Sequence, residues 1–103
     1  EVSLTFLSTF ANGIIPTEFS LLSPYPNPFN PTTRIHVAIA EYGHIDVQVY
    51  NINGKLVETL YSGLMTPGVH QIKWNASKNS SGMYFIYMKT KENVYYKKVM
   101  YIK

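Results

Sequence analysis

The chain has 103 residues, the length of one domain, and its 46% hydrophobic content is typical of a folded protein. It contains no cysteine, so disulfide bonds and thiolate metal sites are excluded. The net charge of +3 is mild and the lysines are scattered, which argues against a nucleic-acid-binding protein. No run approaches the ~20 apolar residues of a membrane-spanning helix, so we expect no membrane insertion.

The N-terminal part of the chain predicts two short strands separated by a break. Residues 2–6 alternate between apolar and polar side chains, which is the period of a strand, and residues 11–13 then interrupt the pattern. Residues 18–22 form the second short strand. We expect residues 1–15 to be a linker or the end of an upstream region, and residues 16–103 to form one folded domain.

A proline-rich stretch follows, and it is the most restrictive part of the sequence. The proline segment, as we name residues 25–31, reads Tyr25-Pro26-Asn27-Pro28-Phe29-Asn30-Pro31. Each proline fixes φ at about −65° and lacks a backbone donor, so the segment suits neither a helix nor a central strand. Phe29 is its strongly apolar side chain and is expected to attach it to the core. Two interpretations stay open: a crossover between two sheets, or a segment recognised by another protein.

Two strands with regular alternation come next, over residues 34–40 and 44–50. Their apolar side chains share one face in each strand: Ile35, Val37 and Ile39 in the first, and Ile45, Val47 and Val49 in the second. The polar positions between them, including His44, Asp46 and Gln48, are expected to face water.

Residues 51–55 then predict a hairpin turn. A two-residue turn would place Val49 opposite Glu58, whereas a three-residue loop places it opposite Val57 and pairs Tyr50 with Leu56. We therefore predict the three-residue loop, with Gly54 in the left-handed region. The returning strand, residues 55–61, shows no clear core face, and a β-bulge is compatible with its pattern.

The remaining sequence predicts three more strands. Residues 62–63 and 66–68 are expected to bound a loop, and residues 69–74 form a strand whose Trp74 anchors the core. Residues 83–89 are apolar without alternation, which indicates a central strand, and residues 94–103 form the last one. About seven short strands and no helical period predict an all-β fold, an immunoglobulin-like antiparallel β-sandwich without its cysteine pair.

Catalytic and metal-binding constellations are missing from the sequence. His36, His44 and His70 lack the spacing and the carboxylate partners of a metal site. There is no Gly-x-Ser-x-Gly nucleophile motif and no glycine-rich phosphate loop. We therefore expect no enzymatic activity, no catalytic residue, no metal and no cofactor.

The nine tyrosines also need an explanation. Four of them are candidates for exposure: Tyr42, Tyr61, Tyr95 and Tyr101. Exposed tyrosines can form a carbohydrate platform or a protein interface, but cross-strand pairing on a sheet face is commoner, and we favour it here.

Five blocks of the sequence, in the same order, resemble the C-terminal sorting domain of proteins exported by the type IX secretion system. The proline segment and the Thr-x-Ile pattern that follows it are similar to the opening run of that family. The later blocks are the hairpin with Gly54, the strand from Gly68 to Trp74, the strand with Gly82 and Tyr84, and the basic-apolar last strand. A related immunoglobulin-like module of flagellar hook-scaffold proteins shares the hairpin and the Gly-x-Tyr strand but usually lacks the proline run.

The resemblance implies a non-catalytic secretion signal at the C-terminus of a larger cargo protein, which reaches the periplasm before it crosses the outer membrane. The implied partners are the outer-membrane type IX translocon, its sortase-like peptidase and the cargo domain upstream in the same polypeptide; no nucleic acid is implied. Cleavage is expected near or before residues 11–15, and the cargo is expected to be secreted or held at the cell surface.

Ten residues are our candidates for recognition by the translocon: Tyr25, Pro26, Asn27, Pro28, Phe29, Asn30, Pro31, Lys97, Lys98 and Lys103. Five others belong to the structural motif of the family: Gly54, Gly68, Trp74, Gly82 and Tyr84. The alternative function is an accessory adhesive or carbohydrate-binding β-sandwich of a secreted enzyme.

Overall fold

The computed structural model describes residues 16–103, which contain seven β-strands. They are β1 (Ser20–Leu21), β2 (Thr32–Ile39), β3 (Gly43–Asn51), β4 (Leu56–Met65), β5 (Gly68–Asn75), β6 (Gly82–Lys89) and β7 (Val94–Tyr101). Within this range there is no helix long and apolar enough to cross a membrane. The strand predicted at residues 2–6 and the cleavage region at residues 11–15 lie outside the described residues.

The strands form two antiparallel sheets that pack as a sandwich. One sheet has the order β1-β2-β5 and the other has the order β4-β3-β6-β7. The predicted fold class is therefore confirmed, and β6 lies inside its sheet, between β3 and β7, as its continuous apolar run indicated. Each sheet turns one apolar face inward, which is the arrangement that alternating strands require.

The core lies between the sheets and is filled by the apolar positions of the alternating strands. The fully buried side chains include Ile35, Val37, Ile39, Val47, Val49 and Ile86. Burial of one such side chain contributes about 1.5–3 kcal/mol. Trp74 on β5 is also fully buried, as predicted, and its indole N–H donates a hydrogen bond to Glu58 Oε1 on β4 at 3.2 Å. This bond connects the two sheets at one edge of the sandwich.

The hairpin between β3 and β4 has the predicted three-residue loop. Gly54 has a φ of +81° and donates its N–H to Asn51 O, while Asn51 Oδ1 accepts the N–H groups of Asn53 and Lys55. Tyr50 pairs with Leu56, as predicted. Glycine is favoured at position 54 because a Cβ is disfavoured at this φ.

The pairing of Val49 with Val57 was wrong, because Val49 lies opposite Glu58. Two register irregularities in β4 add one extra residue each, at Val57 and at Leu60. Both side chains are half-buried and pack against the core. They are three positions apart and would point to opposite faces of a regular strand, so the bulges let both contact the core.

Two strand boundaries also differ from the prediction. The loop expected after residue 61 is absent, because β4 continues to Met65, whose side chain is buried. Ser62, expected in that loop, pairs with Asp46 and donates its hydroxyl to Asp46 Oδ1 at 2.6 Å. At the N-terminal side, only Ser20 and Leu21 of the predicted strand 18–22 form a ladder, with Ala38 and Val37.

The proline segment is not a crossover between the two sheets, and that expectation was wrong. It connects β1 and β2, which are antiparallel neighbours in the same sheet. The Tyr25–Pro26, Asn27–Pro28 and Asn30–Pro31 peptide bonds are cis. The segment leaves the sheet after Tyr25 and returns to it at Thr32, after passing beside β7 of the opposite sheet.

We call the two ends of the sandwich the N-terminal end and the proline end. The N-terminal end holds residues 16–19 and the turns at residues 40–42, 66–67 and 90–93. The proline end holds the proline segment, the turn at residues 52–55, the loop at residues 76–81, and Ile102 and Lys103. The described chain therefore enters at one end, while its last residues lie at the other.

Candidate recognition surface

The proline segment docks onto the outer edge of β7. The N–H of Phe29 donates to Met100 O at 3.0 Å, and the N–H of Ile102 donates to Phe29 O at 3.0 Å. These two bonds form a parallel bridge between Phe29 and Tyr101. One residue of the segment thus acts as a short additional strand beside the C-terminal strand.

The side chain of Asn27 extends this contact by one more pair of hydrogen bonds. Its Oδ1 accepts the N–H of Met100 at 3.0 Å, and its Nδ2 donates to Lys98 O at 3.3 Å. The amide group therefore satisfies a backbone donor and a backbone acceptor of β7, as a neighbouring strand would. A proline on either side cannot supply that donor, because it has no N–H.

The ring of Phe29 closes the core at the proline end. It is 3% exposed, stacks on Tyr101 with a centroid distance of 5.1 Å, and lies 5.3 Å from the ring of Trp74. Tyr84 packs edge-on against Trp74 at 5.2 Å. Trp74 belongs to one sheet and the two tyrosines to the other, so this aromatic cluster joins the sheets. Aromatic pairs of this kind contribute about 0.5–1.5 kcal/mol beyond their buried area.

Both ends of the proline segment are also fixed. Tyr25 and Arg34 exchange two backbone hydrogen bonds, of 3.0 and 2.9 Å. The hydroxyl of Thr33 donates to Pro26 O at 2.8 Å, and the N–H of Ala76 donates to Pro31 O at 2.8 Å. The backbone of the segment is therefore held by β2, by β7 and by the loop that follows β5.

The fixed segment presents a mixed surface to solvent. Tyr25 is 74% exposed, and the other exposed members are Asn27, Pro28, Asn30 and Pro31. Pro26 is half-buried. Phe29 is buried, so it positions the segment and offers no side-chain surface to a partner.

The lysine candidates lie along β7 and at the chain end. Lys98 is exposed on the outer face and Lys103 is exposed beyond the strand, where its N–H donates to Ser81 Oγ at 3.0 Å. Lys97 precedes Lys98 in the strand, so its side chain points to the opposite, inner face, where it is half-buried. The structure thus brings the two candidate regions, the proline segment and the C-terminal strand, into one continuous surface.

Beyond the docked segment, the outer edge of β7 makes no further backbone hydrogen bond within residues 16–103, and β1 of the other sheet lies beside it. Backbone groups of three residues point away from β6 toward the proline segment: those of Lys98, Met100 and Ile102. By alternation, the backbone groups of Tyr96 point the same way, and no described residue pairs with them. The lysines beside this edge disfavour pairing with another copy of the chain, as charged side chains commonly do on edge strands.

A comparison with protein families matches residues 23–103 to the secretion system C-terminal sorting domain, which places the proline segment, the hairpin and β7 inside one family match. The chain belongs to this family of type IX secretion sorting domains. A comparison with curated proteins gives no match. Membership means that the domain is the C-terminal tail of a cargo that the type IX machinery recognises and that is secreted or attached at the surface.

The structural motif of the sorting domain occupies the positions on which the sheets depend. Gly54 forms the hairpin turn, and Gly68 and Gly82 begin β5 and β6. Trp74 and Tyr84 are buried, and the hydroxyl of Tyr84 donates to Ser80 O at 2.6 Å, which holds the loop after β5.

The sorting domain has one cluster whose residue types resemble those of a catalytic triad. Ser62 Oγ lies 2.6 Å and His44 Nε2 lies 3.2 Å from the same atom, Asp46 Oδ1. Both groups bind the carboxylate, so the histidine is not placed to take the hydroxyl proton, as nucleophilic catalysis requires. The hydrogen bond from Ser62, followed by the contact with His44, lowers the pKa of Asp46. Among the described residues, no group of three His, Cys, Asp or Glu residues could hold a metal ion.

The sequence analysis missed a row of aromatic side chains on the outer face of the four-stranded sheet of the sorting domain. Tyr87 lies between Tyr50 and Tyr96, with centroid distances of 5.1 and 5.7 Å. Lys89 Nζ donates to the hydroxyl of Tyr50 at 3.1 Å. The expectation that Tyr101 is exposed was wrong, because it is 2% exposed and belongs to the aromatic cluster. Tyr50 lies an even number of positions from His44 and Asp46, so strand alternation could have predicted that its side chain is on the outer face.

Proposed function

We propose that the outer-membrane type IX translocon recognises this sorting domain in its folded state, through the proline segment and β7 together. The cargo upstream is then exported from the periplasm, a sortase-like peptidase removes the domain, and the cargo is anchored at the cell surface or released. The domain itself performs no catalysis. Residues 1–15 supply the linker to the cargo, and residues 16–103 supply the signal.

The observation that supports this proposal is the docking of Asn27 and Phe29 on Met100. Four hydrogen bonds tie the proline segment to β7 and to Ile102 just after it, so the two regions form one continuous surface. A segment that is already ordered loses less conformational entropy when a partner binds it. Tyr25, Pro28, Asn30 and Lys98 are exposed on this surface and are the side chains available for direct contact.

The position of this surface also suits a signal at the end of a larger protein. The cargo chain enters at the N-terminal end of the sandwich, and the candidate surface lies at the opposite end. A folded cargo therefore leaves the proline segment and the C-terminus accessible. No described backbone group pairs with the outer edge of β7 at Tyr96, so a partner strand can add there if it fits beside β1.

A fusion experiment tests the proposed function. The 103-residue chain is joined to the C-terminus of a periplasmic reporter and expressed in a host that has a type IX translocon and in the same host without it. We expect the reporter outside the cell in the first host and in the periplasm of the second. Equal distribution in the two hosts would contradict the proposal.

The alternative function, a carbohydrate-binding or adhesive module, is favoured by one observation, the row of Tyr50, Tyr87 and Tyr96. Tyrosine rings on a sheet face can stack on sugars. In this structure the three rings pack against one another at 5.1 and 5.7 Å. Measurable sugar affinity that is lost in Tyr96→Ala, together with translocon-independent export, would support this alternative.

A further inference from the structure

Charged residues are distributed unevenly between the two ends of the sandwich. By strand register, seven cationic residues of the described chain lie in the half nearer the proline end: Arg34, Lys55, Lys73, Lys78, Lys97, Lys98 and Lys103. Glu58 is the single acid in that half, among residues 16–103. The other half holds four acids and two lysines: Glu18, Glu41, Asp46, Glu92, Lys89 and Lys91. The proline end is therefore positive and the N-terminal end is negative.

Two of these cations lie directly opposite each other on the outer face of the three-stranded sheet. Arg34 of β2 pairs with Lys73 of β5, and both side chains are exposed. Within residues 16–103 the single contact of a basic side chain with a carboxylate is that of His44 with Asp46, so no described carboxylate neutralises Arg34 or Lys73. Directly opposed residues have Cβ atoms about 4.5–5.5 Å apart, and like charges at this distance destabilise a sheet.

Tyr25 extends this pair into a row of three side chains. It bridges to Arg34 on the side away from Lys73 and is 74% exposed. Because cross-strand partners share a face, Tyr25, Arg34 and Lys73 form one line across the sheet. Tyr25 is also the first residue of the proline segment, so this basic row continues the recognition surface without a gap.

We propose that this basic row docks onto an acidic surface of a protein partner during export. The inference rests on the proposed function and specifies the chemistry of the partner surface that binds the sorting domain. Arginine offers a planar fork that donates two parallel hydrogen bonds to one carboxylate, and lysine and tyrosine add further donors beside it. The unrelieved repulsion between Arg34 and Lys73 costs stability in the free domain, and an anionic partner removes that cost.

A protein partner fits this row better than a phospholipid surface does. Attraction to anionic lipids depends on a cluster of about four to eight basic residues and makes little demand on their geometry. Of the seven cations in this half, only Arg34 and Lys73 belong to the row, where they share one register position next to an aromatic donor. Lys97 and Lys98 lie on the other sheet, so the seven do not form one flat cluster. Arginine and tyrosine in this arrangement are typical of the residues that dominate protein interfaces.

Export of the reporter fusion tests the row in the cell. The Arg34→Gln/Lys73→Gln double variant is compared with Lys55→Gln/Lys91→Gln, which removes the same charge from exposed positions outside the row. We expect the first to stay in the periplasm and the second to be exported like the original chain. Equal export of both would overturn the inference while the proposed function stands. If the original fusion itself shows no translocon dependence, the proposed function fails instead.

Stability and binding of the purified chain separate recognition from folding. Because the substitutions remove a like-charge pair, Arg34→Gln/Lys73→Gln should unfold at the same temperature as the original chain or a higher one. We expect binding to poly-glutamate to fall about five- to tenfold in this variant, and to weaken between about 0.05 and 0.2 M salt, with the control unchanged. A loss of stability in the row variant, or unchanged poly-glutamate binding, would overturn the inference. So would row-dependent binding to phosphatidylglycerol vesicles without binding to poly-glutamate, since that result assigns the row to a membrane.

Discussion

Asn27 Oδ1 accepts a hydrogen bond from the backbone N–H of Met100 at 3.0 Å, although the two residues are 73 positions apart in the sequence. The same side chain donates to Lys98 O at 3.3 Å. One amide group therefore fixes the position of the proline segment along the C-terminal strand. A change in either region is therefore expected to disturb the other.

Replacement of Asn27 by alanine should loosen the contact between the proline segment and β7 without changing the core, because the backbone bonds and the buried ring of Phe29 remain. Two hydrogen bonds are lost, and we expect the domain to be destabilised by about 1–2 kcal/mol, because each such bond contributes about 1 kcal/mol. The amide of Met100 should exchange with solvent faster, which hydrogen–deuterium exchange measures. Asn30→Ala is the matched control, since Asn30 is exposed and its side chain has no hydrogen bond within residues 16–103. Equal protection of Met100 in both variants would contradict the role of Asn27.

Phe29→Ala should be the most destabilising single change in the proline segment. The ring is 3% exposed and fills the space between Trp74 and Tyr101, so its removal leaves a cavity and costs about 3–5 kcal/mol. Urea unfolding measures the loss, and the fluorescence of Trp74 should shift as solvent reaches it. Tyr25→Ala, at a 74% exposed position, serves as the control and should change stability by under about 1 kcal/mol. A loss equal to that of the control would show that Phe29 does not anchor the segment.

Structural features that depend on a single strand or a single turn were predicted from local patterns in the sequence. The alternation of Ile35, Val37 and Ile39 indicated the inner face of β2. The expected pairing of Tyr50 with Leu56 indicated the length of the hairpin loop, with Gly54 at its left-handed position. These features follow from strand periodicity and from the φ that only glycine adopts without cost.

Features that need two distant strands in register were not predictable in this way. The contact of Asn27 with Met100 and the opposition of Arg34 and Lys73 depend on which strands become neighbours. The pairing of Val49 with Glu58 was missed for another reason. An apolar residue facing a charge looked unfavourable, but Glu58 accepts the indole N–H of Trp74 from the opposite sheet.

Gly54→Ala should destabilise the β3–β4 hairpin through the backbone alone. The φ of +81° disfavours a Cβ, and no atom beyond the two adjoining residues lies within 4 Å of the position that a Cβ would take. We therefore expect a loss of about 1 kcal/mol, measured by thermal unfolding, without repacking of neighbours. Gly43→Ala is the control, because Gly43 has equal space around it but an ordinary φ. Similar losses in the two variants would contradict a conformational cause.

Asp46 should make the stability of the domain sensitive to acid. The hydroxyl of Ser62 and the ring of His44 hold the pKa of this carboxyl below its usual value of 3.8 in the folded state. A carboxyl whose pKa is lowered on folding stabilises the protein above its unfolded pKa, and that contribution is lost as the pH falls through the folded pKa. Asp46→Asn should therefore reduce stability at pH 7 and flatten the stability profile below about pH 4.

Unfolding by urea at several pH values measures this profile. Ser62→Ala removes the strongest cause of the lowered pKa and should flatten the acid limb in the same direction. If the profiles of the original chain and of Asp46→Asn run parallel from neutral to acid pH, Asp46 has no such role.

Deletion of residues 102–103 should separate recognition by the translocon from folding. Deletion of all of β7 would be uninformative, because it removes the buried side chains of Val99 and Tyr101. The shorter deletion keeps them and loses two hydrogen bonds, from the N–H of Ile102 to Phe29 O and from the N–H of Lys103 to Ser81 Oγ. We expect a folded domain that is about 1–2 kcal/mol less stable and whose reporter fusion accumulates in the periplasm. Lys103→Gln keeps both backbone bonds, so it separates the loss of docking from the loss of one charge. If this variant is exported while the deletion variant stays in the periplasm, the signal depends on the docked backbone. Full export of the deletion would remove the chain end from the recognition surface.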